Sequence, residues 1–473
     1  MSLKPPSSEP PVIVWFRRDL RLGDNPALAA AVETGATIIP LFVHDPAGPP
    51  RKLGAASAWW LDKSLRSVAG DLAARGSPLV LRRGDSLRVL HDVIAQTGAR
   101  GVYWNRLYDG ASVARDTAVK ADLTAIGIAC RSFNGALLNE PWAVKTGGGE
   151  PYRVFTPYWR NARTTAGDTP PIPALRHIAA PKVAVASELI EDWGLHPAKP
   201  DWSGGFADWT PGEAGAAARL GAFLHAAATR YADARNHPAT EGTSRLSPHL
   251  HFGEISPRQV WAATEAAALH GDAPLGQIEV FQKELGWREF NQHLLFHFPH
   301  MTQRNFNPAF DAFAWRDDPE GLAAWRAGRT GYPIVDAGMR QLWATGWMHN
   351  RVRMIVASFL IKDLLIDWRV GEAWFWDALV DADVANNVAG WQWTAGSGAD
   401  AAPYFRVFNP TLQGERFDPD GDYVRRWLPE LADLPPAHIH QPWRFVSHGR
   451  YPAPIVDHAA ARDRALAAYK GLK

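Results

Sequence analysis

Five short apolar runs, each separated from the next by a segment with helical spacing, fill the first 133 residues of this chain. The runs are "VIVWF" (12–16), "TIIPLFV" (37–43), "PLVLR" (78–82), "GVYWN" (101–105) and "GIACRSF" (127–133), rich in β-branched and aromatic side chains. Between them stand "NPALAAAVETG", "ASAWWLDKSLRSVAGDLAARG", "SLRVLHDVIAQTG" and "ASVARDTAVKADLTAIG", each closing on a glycine. Strands separated by helices pair in parallel, and right-handed crossovers then put helices on both faces of the sheet. The pattern predicts a doubly wound, Rossmann-like parallel sheet of five strands over 1–133. The first strand is followed by "WFRRDLRLGDN" and not by G-x-G-x-x-G, so the usual dinucleotide site of such a sheet is not expected.

From 134 to 205 the chain turns Pro/Gly-rich, with "KTGGGEP", "TPPIPALRHIAAPK" and "HPAKPDWSGG". This reads as a connector lying over the surface between two domains. From 206 to 473 the pattern is helical, without an evident internal repeat. In "SPHLHFGEIS", Ser247 is the expected N-cap and Pro248 the first helical residue. The most apolar run, "MIVASFLIKDLLI", is interrupted by Lys362 and Asp363, too short and too charged to span a bilayer.

Bulk numbers remove several function classes. The net charge of +1 argues against a generally basic nucleic-acid binder, so any polyanion must be met by a local cluster. A single cysteine, Cys130, excludes an intramolecular disulfide and a cysteine metal cluster, and fits a reducing cytoplasm. The start "MSLKPPSSEPP" lacks the apolar core of a signal peptide. Tryptophan, 22 of 473 residues, is several times commoner than usual and calls for a use beyond packing.

Four segments carry candidate chemistry. "GTSRLSPHL" (242–250) combines hydroxyls, free N–H groups and a guanidinium before a helix start, which suits either a phosphate cradle or a capped helix with a surface arginine. In "FQKELGWREFNQHLL" (281–295), Glu284, Trp287 and Asn291 fall on one helical stripe. That stripe suits a pocket wall with a stacking ring and polar edges, or a half-exposed helix with a buried tryptophan. "GWMHNRVRM" opens a helix that is polar and basic around Asn350, Arg351, Arg353 and Met354 and apolar beyond. "LVDADVANN" gathers Asp381, Asp383, Asn386 and Asn387. No further carboxylate or histidine follows at ligand spacing, so these read as hydrogen-bond acceptors and amides, not as metal ligands. In "NNVAGWQWTAG" (386–396), paired Asn and two Gly argue against a continuous helix, and the two tryptophans are too close to share a helical face.

Taken together, "VWFRRDLRLGDNPAL", "EGTSRLSPHLHFGEISPRQVW", "GWREF", "GYPIVDAGMRQLWATGWMHNRVRMIVASFLIKDLLIDW", "NNVAGWQWTAGSGADAAPYFRVFNP" and "WLPEL" resemble the signature blocks of the DNA photolyase/cryptochrome family. Within it, they are most similar to bacterial members that act on cyclobutane pyrimidine dimers. The resemblance implies a helical domain that holds FAD non-covalently, light-driven electron transfer from reduced flavin to a dimer flipped out of DNA, and a second, antenna chromophore on the α/β domain. It implies FAD contacts at Tyr231, Thr243, Ser244, Arg245, Leu246, Ser247, Asn350, Arg353, Asp381 and Asp383, with Asn387 beside the reactive ring nitrogen. It implies a dimer pocket of Glu284, Trp287, Asn291, Asn350, Met354 and Trp393, with Glu284 stabilising the dimer radical anion if it holds or shares a proton. Arg235, Arg351, Arg406, Gln413 and Arg416 are the implied phosphate contacts. Trp391, Trp368 and Trp315 match an electron relay to the surface, and Trp374 and Trp376 offer a parallel branch.

Alternatives within the family are a six-four photolyase and a cryptochrome-type receptor. Six-four members tend to carry histidines where Asn350 and Met354 stand. Receptors often carry a long C-terminal tail, for which the match through "YPAPIVDHAAARDRALAAY" leaves no room. A dark flavin oxidoreductase would need a second, Gly-rich dinucleotide site. For the antenna, the absence of a Cys–Lys pair near "PHMTQRNF" and of a Glu after "YWNRLYD" disfavours folate and mildly favours a deazaflavin, and a purely structural α/β domain is the other reading. A monomer in the cytoplasm, associated with the nucleoid, is expected.

Overall fold

The computed structural model describes residues 10–401, 405–445 and 449–472. The first nine residues, on which the reading of a start without a signal peptide falls, lie outside the described residues. The sheet is built as expected, from β1 (Val12–Phe16), β2 (Ile38–His44), β3 (Val80–Arg83), β4 (Gly101–Asn105) and β5 (Ala129–Phe133). The order is β3-β2-β1-β4-β5, all parallel. Val12 pairs with Ile38 on one side and Gly101 on the other, so β1 is central, and its five residues are buried. The helices α1 (Pro26–Glu33), α2 (Ala55–Ala74), α3 (Ser86–Thr97) and α4 (Gly110–Ala125) cover the faces. Asn25, Asp85 and Asp109 cap α1, α3 and α4 through side-chain oxygens that accept backbone N–H bonds.

The connector is not a surface strap throughout. It forms α5 (Phe155–Ala162), whose Phe155 and Tyr158 lie in the core of the helical part. The helical part runs through α6 (Glu213–Ala222), α7 (Tyr231–Ala234), α8 (Ser247–Phe252), α9 (Pro257–His270), α10 (Leu275–His297), α11 (Pro319–Arg326), α12 (Pro333–Thr345), α13 (Asn350–Ser358), α14 (Trp368–Ala378), α15 (Val384–Ala395), α16 (Pro410–Phe417), α17 (Asp422–Trp427), α18 (Pro436–Ile439) and α19 (His458–Lys470). α10 pins the connector. Arg288 donates to the Ala136 carbonyl (3.0 Å), Glu289 accepts N–H bonds from Leu138 (2.9 Å) and Asn139 (3.2 Å), and the Tyr152 N–H donates to His293 Nε2 (3.1 Å). Burial pushes the Glu289 carboxyl up to about 7, against the pull of Arg288 and those N–H groups.

Two local expectations are corrected. α8 begins at Ser247 itself, with Leu246 at the N-cap and Pro248 one residue further in. α15 is one unbroken helix across "NNVAGWQWTA". Its start is fixed by Asp383, which accepts the Asn386 N–H at 3.0 Å, and Gly396 ends it in the left-handed region. Strong caps at both ends outweigh the weak intrinsic helicity of Asn and Gly.

The sheet half and the helical half share a core. Val12, Val14 and Phe16 belong to the same buried cluster as Phe252, Trp347 and Val380. Polar bonds seal the seam: Trp60 Nε1 donates to Glu254 (2.9 Å), Arg258 to Asp24 (3.0 Å), and the N–H groups of Leu22 and Gly23 to Glu213 (2.8 Å each). At Gly54 a Cβ would stand 2.0 Å from the Trp376 carbonyl oxygen, so only glycine lets the start of α2 dock on α14. No helix among the described residues is long and apolar enough to cross a membrane.

Candidate functional site

A cavity of about 630 Å³ opens between α8, α10, α13 and α15 and reaches the sheet half at Arg18, Arg21 and Tyr108. The size suits a cofactor or a small ligand. Its lining contains Tyr231, Arg235, Ser244, Leu246, Ser247, Glu284, Trp287, Asn291, Asn350, Arg351, Arg353, Met354, Asp381, Asp383, Asn387, Trp391 and Trp393. Seven of the expected site residues are not in that lining: Thr243, Arg245, Trp315, Trp368, Arg406, Gln413 and Arg416.

The acidic group at the start of α15 is locked by hydrogen bonds. Arg353 donates to Asp381 Oδ2 at 2.8 Å, while Asp381 Oδ1 is buried and has no hydrogen-bond partner among the described residues. Asp383 receives Gln292 Nε2 (3.2 Å) and the Asn386 amide (2.7 Å), and it faces His251 (3.7 Å) and Arg18 (3.8 Å). Burial alone would raise the Asp383 carboxyl, but the nearby His251 and Arg18 and the Asn386 N–H together hold it well below the usual range. Asn291 donates to Asn386 Oδ1 at 2.9 Å, which ties α10 to α15.

The cradle segment is only partly brought to the cavity. Ser244, Leu246 and Ser247 line it, but the Arg245 guanidinium lies over Trp209 (4.4 Å) and Trp347 (5.0 Å). Two aromatic faces draw the cation away from the site.

A second part of the wall is aromatic. Trp287 stacks flat on Phe155, with ring centroids 3.7 Å apart and 8° between planes. Residues 391 and 393 differ by about 200° around a helix. Trp391 is therefore buried against Phe375 (5.0 Å), while Trp393 stays half-buried at the cavity. Asn350 and Met354 follow one another along one face of α13. Glu284 is ion-paired with Arg235 at 2.5 Å and partly exposed, instead of standing alone beside a ring.

The expected phosphate contacts are scattered. Arg351 bonds Asn236 (2.7 Å) and lies over Phe417 (4.3 Å), and Arg416 lies over the same ring (5.1 Å). Gln413 shares α16 with Arg416, one turn earlier. Arg406 is exposed, and its carbonyl accepts from Lys362 (3.3 Å).

The tryptophans run from inside to outside. Trp391 and Trp368 are buried and Trp315 is half-buried. A Cβ on Gly371 would stand 2.1 Å from the Trp391 ring, so this glycine seats that indole on α14. Trp368 lies one turn before Gly371 on the same helix. Its Nε1 donates to Asn305 at 3.0 Å. Trp315 packs on Phe313 at 4.4 Å. In the parallel branch, Trp374 stacks on the exposed Trp343 (5.9 Å, 6°), whereas Trp376 turns to the seam, under Arg51 at 3.8 Å.

Sequence reasoning missed Arg18, Phe155 and His251. His251 and Arg18 stand inside quoted motif blocks, yet nothing local shows that they converge on Asp383. Phe155 lies in the stretch read as connector, and "FTPYW" was its aromatic signal.

Comparison with known proteins agrees with this geometry. A family model described as DNA photolyase matches residues 12–176, and one described as the FAD binding domain of DNA photolyase matches 281–471. The deoxyribodipyrimidine photo-lyase of Agrobacterium fabrum is 53% identical, over 98% of this chain and 98% of that protein. Cryptochrome-2 of Arabidopsis thaliana is 40% identical, over 95% of this chain and 77% of its own length. The crystal structure of a bacterial class III photolyase from Agrobacterium tumefaciens superposes with a TM-score of 0.95 at 52% identity, covering 100% of this chain and 98% of that one.

Proposed function

This chain belongs to the DNA photolyase family, and we propose that it is a deoxyribodipyrimidine photo-lyase that splits cyclobutane pyrimidine dimers in DNA under light. The observation that carries this reading is a single cavity lined by both a fixed polar set, Asp381, Asp383 and Asn387, and two tryptophans, Trp287 and Trp393.

The residues fit FAD. The buried, unpartnered Asp381 Oδ1 is a carboxylate oxygen held ready for an N–H donor, and Arg353 fixes its other oxygen. A flavin ring offers such a donor. Ser244, Leu246 and Ser247 would hold the phosphate region, with Tyr231 beside them. FAD, bound and reduced, supplies the light-excited electron of the reaction. Around it, Trp287 and Trp393 stack on the apolar faces of the flipped bases. Asn350 and Glu284 orient the base edges, and Met354 fills the apolar side. Arg235 pairs with Glu284 and fixes its position. Arg351 and Arg416, both over the Phe417 ring, face flanking phosphates together with Gln413 of α16, and Arg406 lies further along the same strand path. Trp391, Trp368 and Trp315 return electrons to resting flavin, with Trp374 and Trp343 as a branch.

Asn350 and Met354, in place of histidines, favour cyclobutane dimers over six-four products. The protein acts as a monomer in the cytoplasm, on damaged DNA in the nucleoid, and carries an antenna chromophore of folate, deazaflavin or flavin type. Residues 1–133, 134–205 and 206–473 serve as antenna, connecting and catalytic segments. The test is the loss of dimers from irradiated DNA when purified, FAD-reduced protein is illuminated. FAD-loaded protein without light-driven repair would leave a photoreceptor as the reading. The mass of extracted chromophores identifies the antenna.

A further inference from the structure

Asn387 lines the cavity, yet its amide is held from behind. Asn387 Nδ2 donates twice, to Glu372 Oε1 at 2.7 Å and to the Glu372 backbone oxygen at 3.1 Å. The backbone oxygen is never a donor. The Glu372 carboxylate is gripped at both oxygens by Arg51, through Nη1 to Oε2 at 3.1 Å and Nη2 to Oε1. A flipped amide would set its oxygen against two acceptors. The NH₂ end is thereby committed, and the Oδ1 end is left for the cavity.

Arg51 is itself fixed. Its guanidinium lies 3.8 Å over Trp376, and Trp376 Nε1 donates to the Lys52 carbonyl at 2.8 Å. Glu372 and Trp376 are four residues apart on α14, so the carboxylate and the ring meet Arg51 on one face. Glu372 is buried, and Arg51 comes from the sheet half, between β2 and α2.

We propose that Glu372 and Arg51 are positioning residues that hold the Asn387 amide with its oxygen toward the flavin, so that a side chain of the sheet half tunes the flavin's one-electron potentials. The proposal rests on the reading that FAD fills this cavity with its reactive ring nitrogen beside Asn387. An oxygen there accepts a hydrogen bond from a protonated ring nitrogen. An NH₂ group there would oppose it. The locked amide therefore favours reduced, nitrogen-protonated flavin.

The test measures both one-electron midpoint potentials of FAD-loaded protein by spectroelectrochemistry. Glu372→Ala removes one of the two acceptors that hold the amide and with it about one hydrogen bond's worth of preference. It should lower the potential of the step that protonates the nitrogen by about three- to tenfold in equilibrium constant, tenfold being about 59 mV. Arg51→Met should shift it in the same direction by less. Glu372→Gln, whose amide oxygen still accepts, should recover most of the parent value. FAD-loaded Glu372→Ala and Arg51→Met proteins with the parent's potentials would overturn the proposal. Wild-type protein that binds no FAD would instead sink the cavity reading, and this one with it.

Discussion

Asp381 has one oxygen committed to Arg353 and one buried oxygen that no described residue satisfies. A buried acceptor without a donor costs free energy, so this residue is built for a ligand. Asp381→Asn weakens the Arg353 bond and puts an NH₂ donor where an acceptor is needed. Hydrogen bonds to charged groups contribute about 1.5–3 kcal/mol. FAD affinity should fall by roughly 10- to 100-fold, measured as flavin retained after dialysis. Retention at the parent level would remove Asp381 from the cofactor contacts. Trp393→Ala should do the converse, leaving flavin content intact. It should weaken binding of dimer-containing DNA by about 1–3 kcal/mol, the worth of one stacked base, as read by titration in the dark. At this scale the sequence was eloquent about identity and silent about geometry. The family resemblance implied Asp381, Trp393 and Glu284. Only folding shows that Arg245 is drawn onto Trp209 and Trp347, or that Glu284 is paired with Arg235, because those partners lie tens of residues away.

Among the elements, α13 bears Asn350, Arg351, Arg353 and Met354, and it starts on a histidine. His349 Nδ1 accepts the Arg351 N–H at 3.2 Å and so caps the helix. Burial first, then the positive charges of Arg351, Arg353 and Arg235 and nearby His237, push this imidazole down to about 3 from 6.5. Above pH 6.5 the ring is neutral in folded and unfolded chain alike, and the stability is whole. As pH falls from 6.5 toward 3 the unfolded chain takes a proton that the folded one refuses, so stability drops with pH, by up to about 1.36 kcal/mol per unit. His349→Asn keeps a capping oxygen and removes the titration. The loss of melting temperature between pH 7 and pH 4.5 should be smaller in that variant, and an equal loss in both proteins would contradict the assignment. α15 shows where local reading fails. Asn and Gly lower helix propensity, but Asp383 and Gly396 cap the segment, and Trp391 on Gly371 anchors it. The caps were visible in "DADVANN" and "TAG", whereas the packing that decides the outcome was not.

Across the whole molecule, the strand–helix alternation was legible in full, since period and spacing are local properties. All five strands fall within two residues of expectation. The seam was not legible, because its bonds join Asp24 to Arg258 and Trp60 to Glu254 across some 200 positions. The shared core of Val12, Phe252, Trp347 and Val380 makes the two halves mutually dependent. The tryptophan path also belongs to this scale. Trp315→Phe should slow photoreduction of oxidised flavin while repair by chemically pre-reduced protein stays nearly unchanged. Loss of repair with pre-reduced flavin would contradict the relay. The half-turn between Trp391 and Trp393 has one more consequence. On the proposed reading, electrons would reach Trp391 from its buried side of α15, while the damaged base would meet the half-buried Trp393. On that reading the two routes would not cross, and the flavin would be recharged with its DNA still in place.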